Sequence, residues 1–235
     1  MTSLSNIRQR AQISTVLIMA GPWVVLLATA AFVAANRILP AGLFGLALLA
    51  VAGLSWKMAP NTDSSRVTAG TTLIGFPALF VYVMSGSDWQ IDMHMMFFAA
   101  LSISALMLDW RVILAASAAT AVHHLSLNFF LPWAVFPDGA DFFRVVFHAV
   151  IVIGQSAALV WMTYHAANAL DGADRKAAEA EEAQRAAASS AADPANTRRK
   201  AHAQPAHVAT LAPAFESPLR LTARGISGAD PTVAR

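Results

Sequence analysis

The chain has 235 residues, of which 57% are hydrophobic and only 13% charged, with a formal net charge of +2. Soluble domains carry about 25% charged residues, so the composition excludes an ordinary soluble fold. Cysteine is absent, which excludes disulfides and thiolate metal sites, and the small net charge argues neither for nor against nucleic acid.

The apolar residues fall in six blocks: 13–35, 39–56, 68–84, 91–108, 112–131 and 142–166. Each comes near the roughly 20 residues that cross a hydrocarbon core as a helix. The first follows Arg8 and Arg10, and Val33-Ala34-Ala35 resembles a signal-peptide cleavage site. Its apolar run exceeds the about 7–15 residues of a signal core, so a retained first helix is expected. Pro22 and Pro77 fall inside spans, where neighbouring helices can satisfy the freed carbonyls. The fourth block opens with Asp92-Met93-His94-Met95-Met96, and Asp109-Trp110-Arg111 forms the turn into the fifth. Its charges suit helix capping. The segment Pro132-Trp133-Ala134-Val135-Phe136-Pro137-Asp138-Gly139 follows, with two prolines and three large apolar residues that suit a lid. Trp89, Trp110, Trp133 and Trp161 lie close to span ends, as an interfacial belt would.

Basic residues set the expected orientation. With the N-terminus cytoplasmic, Arg8, Arg10, Lys57, Arg66, Arg111, Arg175, Lys176 and Arg185 collect inside, while Arg37 and Arg144 remain outside. Six spans return the chain to the cytoplasm. The expected topology is therefore multi-pass, with both termini cytoplasmic.

Four histidines then fall at one depth. His94 lies roughly 6 Å below the outer surface, His123 and His124 roughly 10–12 Å, and His148 roughly 9 Å, at 1.5 Å per residue. Ser117, Thr120, His124 and Asn128 form one polar stripe on the fifth span, and Arg144, His148 and Gln155 share a face of the sixth. Lipid cannot satisfy such groups, so both stripes should face the bundle interior. His123 points about 100° away from His124. The candidate ligand-binding set is His94, His123, His124, His148, Asn128, Asp92 and Arg144, with His94, His124 and His148 converging and the others as supporting or alternate partners.

Three readings of that set stand side by side. The histidines can tie helices together through carbonyls, Thr120 or Asn128. They can hold a metal ion (copper or zinc) or haem, with His94, His124 and His148 as ligands, because neutral imidazole ligates all three. They can also line a pocket for a small molecule or proton. The methionines beside His94 would suit copper(I) but are more often packing. The cofactor is left unknown.

Asp92-Met93-His94-Met95, Phe97-Phe98-Ala99-Ala100-Leu101, Asp109-Trp110-Arg111, Ala121-Val122-His123-His124-Leu125 and Leu127-Asn128-Phe129 form a linked series. It continues through Val135-Phe136-Pro137, Arg144-Val145-Val146 and His148-Ala149-Val150-Ile151-Val152. Together these resemble the N-terminal multi-span membrane sensory region of bacterial methyl-accepting chemotaxis proteins. The resemblance covers about residues 10–190 and is most specific in 92–152; similar regions precede other output modules. It implies an integral membrane sensory, signal-transducing domain of chemoreceptor type in a bacterial inner (cell) membrane, without catalytic activity. The family's histidine pattern falls on His94, His123, His124 and His148, and it fixes no ligand.

The expected fold is all-α: a six-span membrane sensory domain (1–166), a cytoplasmic signal helix (167–190) and a disordered tail (191–235). The Ala-rich stretch with Asp171, Asp174, Arg175, Lys176, Glu179, Glu181, Glu182 and Arg185 supports the helix. Pro194, Pro205, Pro213, Pro218 and Pro231 break up the tail. No heptad coiled coil follows, so a truncated or frame-shifted receptor is the expectation. The expected partners are the lipid bilayer and a second copy in a homodimer, with cytoplasmic signalling partners only if a longer receptor is made, and no nucleic acid. No glycine-rich phosphate loop, HExxH motif or paired nucleophile and base occurs. A histidine-ligated membrane metalloenzyme or a small transporter is the alternative.

Overall fold

The computed structural model describes residues 2–192 and 198–199; the tail call of 191–235 otherwise lies outside the described residues. The described chain is helical, with α1 (Ser3–Ile18), α2 (Ala20–Val33), α3 (Ile38–Met58), α4 (Asp63–Val83), α5 (Met95–Ser104), α6 (Trp110–Phe130) and α7 (Phe142–Ala192). Two units are distinguished, Met1–Ala180 and Glu181–Arg235, and the helix bundle belongs to the first. In the second, Arg185 pairs with Glu181 one turn away.

Six helical segments are long and apolar enough to cross a membrane, in line with the six blocks of the sequence. Their bounds and continuity differ from expectation most clearly in the first and fourth segments. The first segment starts at Ser3, ten residues earlier than its apolar run, because Thr2 caps it by accepting from the Ser5 N–H. That segment is also two helices, α1 and α2, meeting at Met19. Pro22 explains the break, since it cannot donate to the carbonyl four residues back and its ring crowds that carbonyl. The fourth segment is mostly α5, with tight 3-10 turns at Asp92–His94 before it and Ala105–Met107 after it.

The centre of the bundle is α4, which packs against α1, α2, α3, α5 and α6. Its Leu73, Ile74, Phe76 and Val81 join Phe97 and Leu101 of α5 and Ala116 of α6 in one core cluster. Close approach depends on small residues. A side chain at Gly70 would run into Val112 of α6, and one at Gly75 into Leu48 of α3. Between α2 and α3, the Trp23 indole N–H donates to the Gly42 carbonyl at 3.1 Å. Outward-facing positions are largely apolar, with Phe32, Phe44, Phe130 and Phe143 all exposed. A surface of that kind suits lipid contact.

Charge is concentrated at the ends. Arg66 is buried at the start of α4, donating to Asp109 at 2.9 and 3.1 Å, to the Asn61 carbonyl at 2.9 Å and to Asp63. Asp109 in turn caps α6 by accepting from the Arg111 N–H. Leu108 just before it takes a left-handed conformation (φ +48°), and its carbonyl accepts from the Arg8 guanidinium at 2.8 Å. The capping role expected of Asp109-Trp110-Arg111 is therefore joined to a buried ion pair. At the opposite end Arg37 donates to the Tyr82, Val83 and Ser85 carbonyls, closing the C-terminus of α4.

Removing one partner of a buried pair strands the other charge, at a cost of about 3–5 kcal/mol. Asp109→Ala should therefore destabilise the protein by about that amount in detergent-micelle unfolding. Asp63→Ala, whose side chain is 55% exposed, should cost under about 1 kcal/mol. Equal losses in the two variants would contradict the assignment of Asp109 as the essential partner.

Candidate functional site

The histidine end of the bundle is assembled from α5, α6, α7 and the segment between the last two. His94 sits on the 3-10 turn before α5, His123 and His124 on α6, and His148 two turns into α7. Ring centroids of His94 and His124 are 5.3 Å apart, His94 and His148 5.6 Å, and His124 and His148 5.9 Å. The three rings expected to converge therefore meet. His123 lies beside His124 at 5.0 Å and against Phe97 at 5.5 Å, on the flank of the trio.

The same local device orients all three rings. His94 Nδ1 donates to the Gln90 carbonyl (3.1 Å), His124 Nδ1 to the Thr120 carbonyl (2.9 Å) and His148 Nδ1 to the Arg144 carbonyl (2.7 Å). Each acceptor lies four residues back. A carbonyl oxygen only accepts, so in the neutral imidazole the proton sits on Nδ1 and Nε2 carries a lone pair. His94 Nε2 is buried and has no hydrogen-bond partner.

The remaining expected residues are placed elsewhere. Asn128 is buried on the α6 stripe with Thr120 and His124, but its Oδ1 accepts from the Asp141 N–H at 2.7 Å, fastening the chain ahead of α7. Asp92 is exposed, and no contact joins it to the rings. Arg144 pairs with Asp141 (3.4 Å) and Asp138 (3.9 Å), and its guanidinium lies over the Phe136 ring. It touches the site through its own carbonyl. Gln155 donates to the Phe98 carbonyl at 3.1 Å, and Ser117 and Ser156 share a 2.6 Å hydroxyl bond between α6 and α7.

Two aromatic residues outside the expected ligand-binding set complete the site. Phe136 is fully buried and stacks on His94 with centroids 5.6 Å apart and planes 7° off parallel. Phe97 meets His124 edge-on at 4.8 Å. The apolar content of Pro132–Gly139 was the available signal. That segment does cover the histidines, held down by the Gln90 amide and the Ser85 hydroxyl, both donating to the Trp133 carbonyl.

Among the described residues, no group of three or more His, Asp or Glu side chains is placed to hold a metal ion. His124 and His148 lie within 27° of parallel, and His94 meets them at 58° and 61°. Next to the rings a cavity of about 590 Å³ runs between α6 and α7 and reaches α5. Its walls include Phe97, Phe98, Leu125, Val145 and Val152 as well as the three histidines. That volume is within the roughly 300–1,000 Å³ of small-molecule sites.

Comparison with known protein families, curated proteins and solved structures returned no match. The six apolar helices identify a multi-pass membrane protein.

Truncating a buried Phe typically costs about 3–5 kcal/mol. Phe136→Ala should therefore destabilise the protein in that range and speed amide exchange across 132–139, while exchange in the α4 core stays slow. Unchanged exchange in 132–139 would show that Phe136 does not hold the segment down.

Proposed function

We propose that the chain is a membrane sensory domain of the chemoreceptor type, which binds a cue at its histidine site and transmits through α7. The carrying observation is the cavity beside His94, His124 and His148, walled on one side by α7. Any occupant touches the helix that runs 51 residues to Ala192, far beyond the roughly 20 needed to span a bilayer. Buried positions on α7, at Val145, Val152, Ser156, Thr163 and Ala167, recur at seven and four residues. Such a stripe keeps one face of the helix toward the bundle as far as Ala167. The resemblance read in the sequence supports the same role.

In this reading the site lies in the outer half of a bacterial inner membrane, both termini are cytoplasmic, and the receptor works as a homodimer without turnover. The positive-inside distribution supports the orientation, and the Arg8–Arg66–Asp109–Arg111 end would then be the cytoplasmic one. Reporter fusions after Arg37, Met58, Asp88, Arg111 and Asp138 should alternate from outside to inside. A cytoplasmic signal at Asp138 would refute the topology. Joining residues 1–190 to a known cytoplasmic output should give stimulus-dependent activity that is lost when 166–190 is scrambled. Output that ignores every stimulus and survives the scrambling would refute the sensory role.

A further inference from the structure

We infer that the cavity between α6 and α7 takes a lipophilic aryl alcohol, a phenol or hydroquinone, whose hydroxyl donates to the histidine trio. The inference deepens the sensory reading and rests on it for the meaning of binding.

The cavity walls are almost entirely carbon, so its occupant must be apolar over most of its surface. Leu114 and Ile153 line it while being 48% and 67% exposed on the flank of the bundle. A molecule dissolved in the bilayer can therefore enter sideways. The rings of Phe97, Phe98, Phe142 and the histidines favour an aromatic body, because aromatic pairs gain beyond simple burial.

The polar groups on the walls decide the headgroup. Ser117 and Ser156 share one hydrogen bond, which leaves one hydroxyl hydrogen free, but that pair lies about 12 Å along α7 from His148, away from the histidine end. The Thr120 hydroxyl donates to the Ala116 carbonyl. The three Nδ1 protons are committed to the Gln90, Thr120 and Arg144 carbonyls. The imidazole Nε2 atoms remain, and in the neutral rings they only accept. His94, 97% buried with Nε2 unpartnered, is the clearest of these acceptors. A hydroxyl hydrogen satisfies such a nitrogen; a ketone, ether or ester oxygen sets lone pair against lone pair. The site thus separates a hydroquinone from its quinone, because only the reduced form carries donor hydrogens.

The experiment uses the full chain in lipid nanodiscs, with para-heptylphenol and its methyl ether, which differ by the donor hydrogen. A matched alkyl hydroquinone and quinone form the second pair. The phenol and the hydroquinone should each bind about two- to tenfold tighter than their partners, the net worth of one hydrogen bond. His94→Phe, which keeps a ring but removes the acceptor, should bring both ratios close to one. Ala121→Phe, which narrows the cavity beside His124, should weaken binding of every probe. Equal affinity within each pair for the unaltered protein would overturn the inference, as would binding that ignores Ala121→Phe. Selective binding without any response from an attached output would leave the ligand class standing and count against the sensory role. An output that answers other stimuli while the full chain ignores phenols would overturn the ligand class alone.

Discussion

The rest of the structure depends on how closely other helices can approach α4. A helix surrounded on all sides needs neighbours near enough to exclude lipid, and without a hydrophobic drive inside a bilayer that closeness comes from small residues and dispersion. Gly70 admits Val112 of α6 and Gly75 admits Leu48 of α3. Once α6 is set by this contact, His124 and Thr120 face inward on it. Both ends of α4 are then closed by arginines, Arg66 with Asp109 and Arg37 on the terminal carbonyls. Each guanidinium satisfies groups that an apolar medium would leave unpaired.

At the other pole, local chain geometry and tertiary packing cooperate. A histidine on a helix can bond the carbonyl one turn back without any neighbour, and His94, His124 and His148 all do so. Orientation is therefore settled within each segment before the helices meet. Packing then adds the stacked Phe136 and the edge-on Phe97 against the rings. The outcome is a preorganised acceptor surface at one end of an apolar cavity.

Much of this was legible from residue order. Long apolar blocks locate helices reliably because length and hydrophobicity are themselves the physical requirement for spanning. The common depth of His94, His124 and His148 followed from counting residues at a fixed rise, and so did the inward stripe through Thr120 and Asn128. Helix starts were less legible: α1 begins at a Thr2 cap within polar sequence, where hydrophobicity is silent. Partner choice was least legible. Asn128 shares the histidine face yet bonds the Asp141 backbone, because the short return loop brings that N–H within reach. Asp92, two residues before His94, is turned out to the surface by the 3-10 turn. Phe136 was one apolar residue among several, and only the folded loop distinguishes it.

One modest contact bears on mechanics. Asp174 of α7 accepts from the Ser3 N–H at 2.7 Å, tying α7 to the start of α1. His148 lies 26 residues before Asp174, about 39 Å along the helix at 1.5 Å per residue. A rigid rod held at such a point behaves as a seesaw: displacement of one arm sends the other the opposite way, scaled by the ratio of arm lengths. Because Asp174 is fully exposed at this contact, solvent competes for it and the fulcrum is soft. In the proposed sensory reading, a strong push would slip such a pivot rather than bend the rod, so the contact would limit the motion as well as guide it.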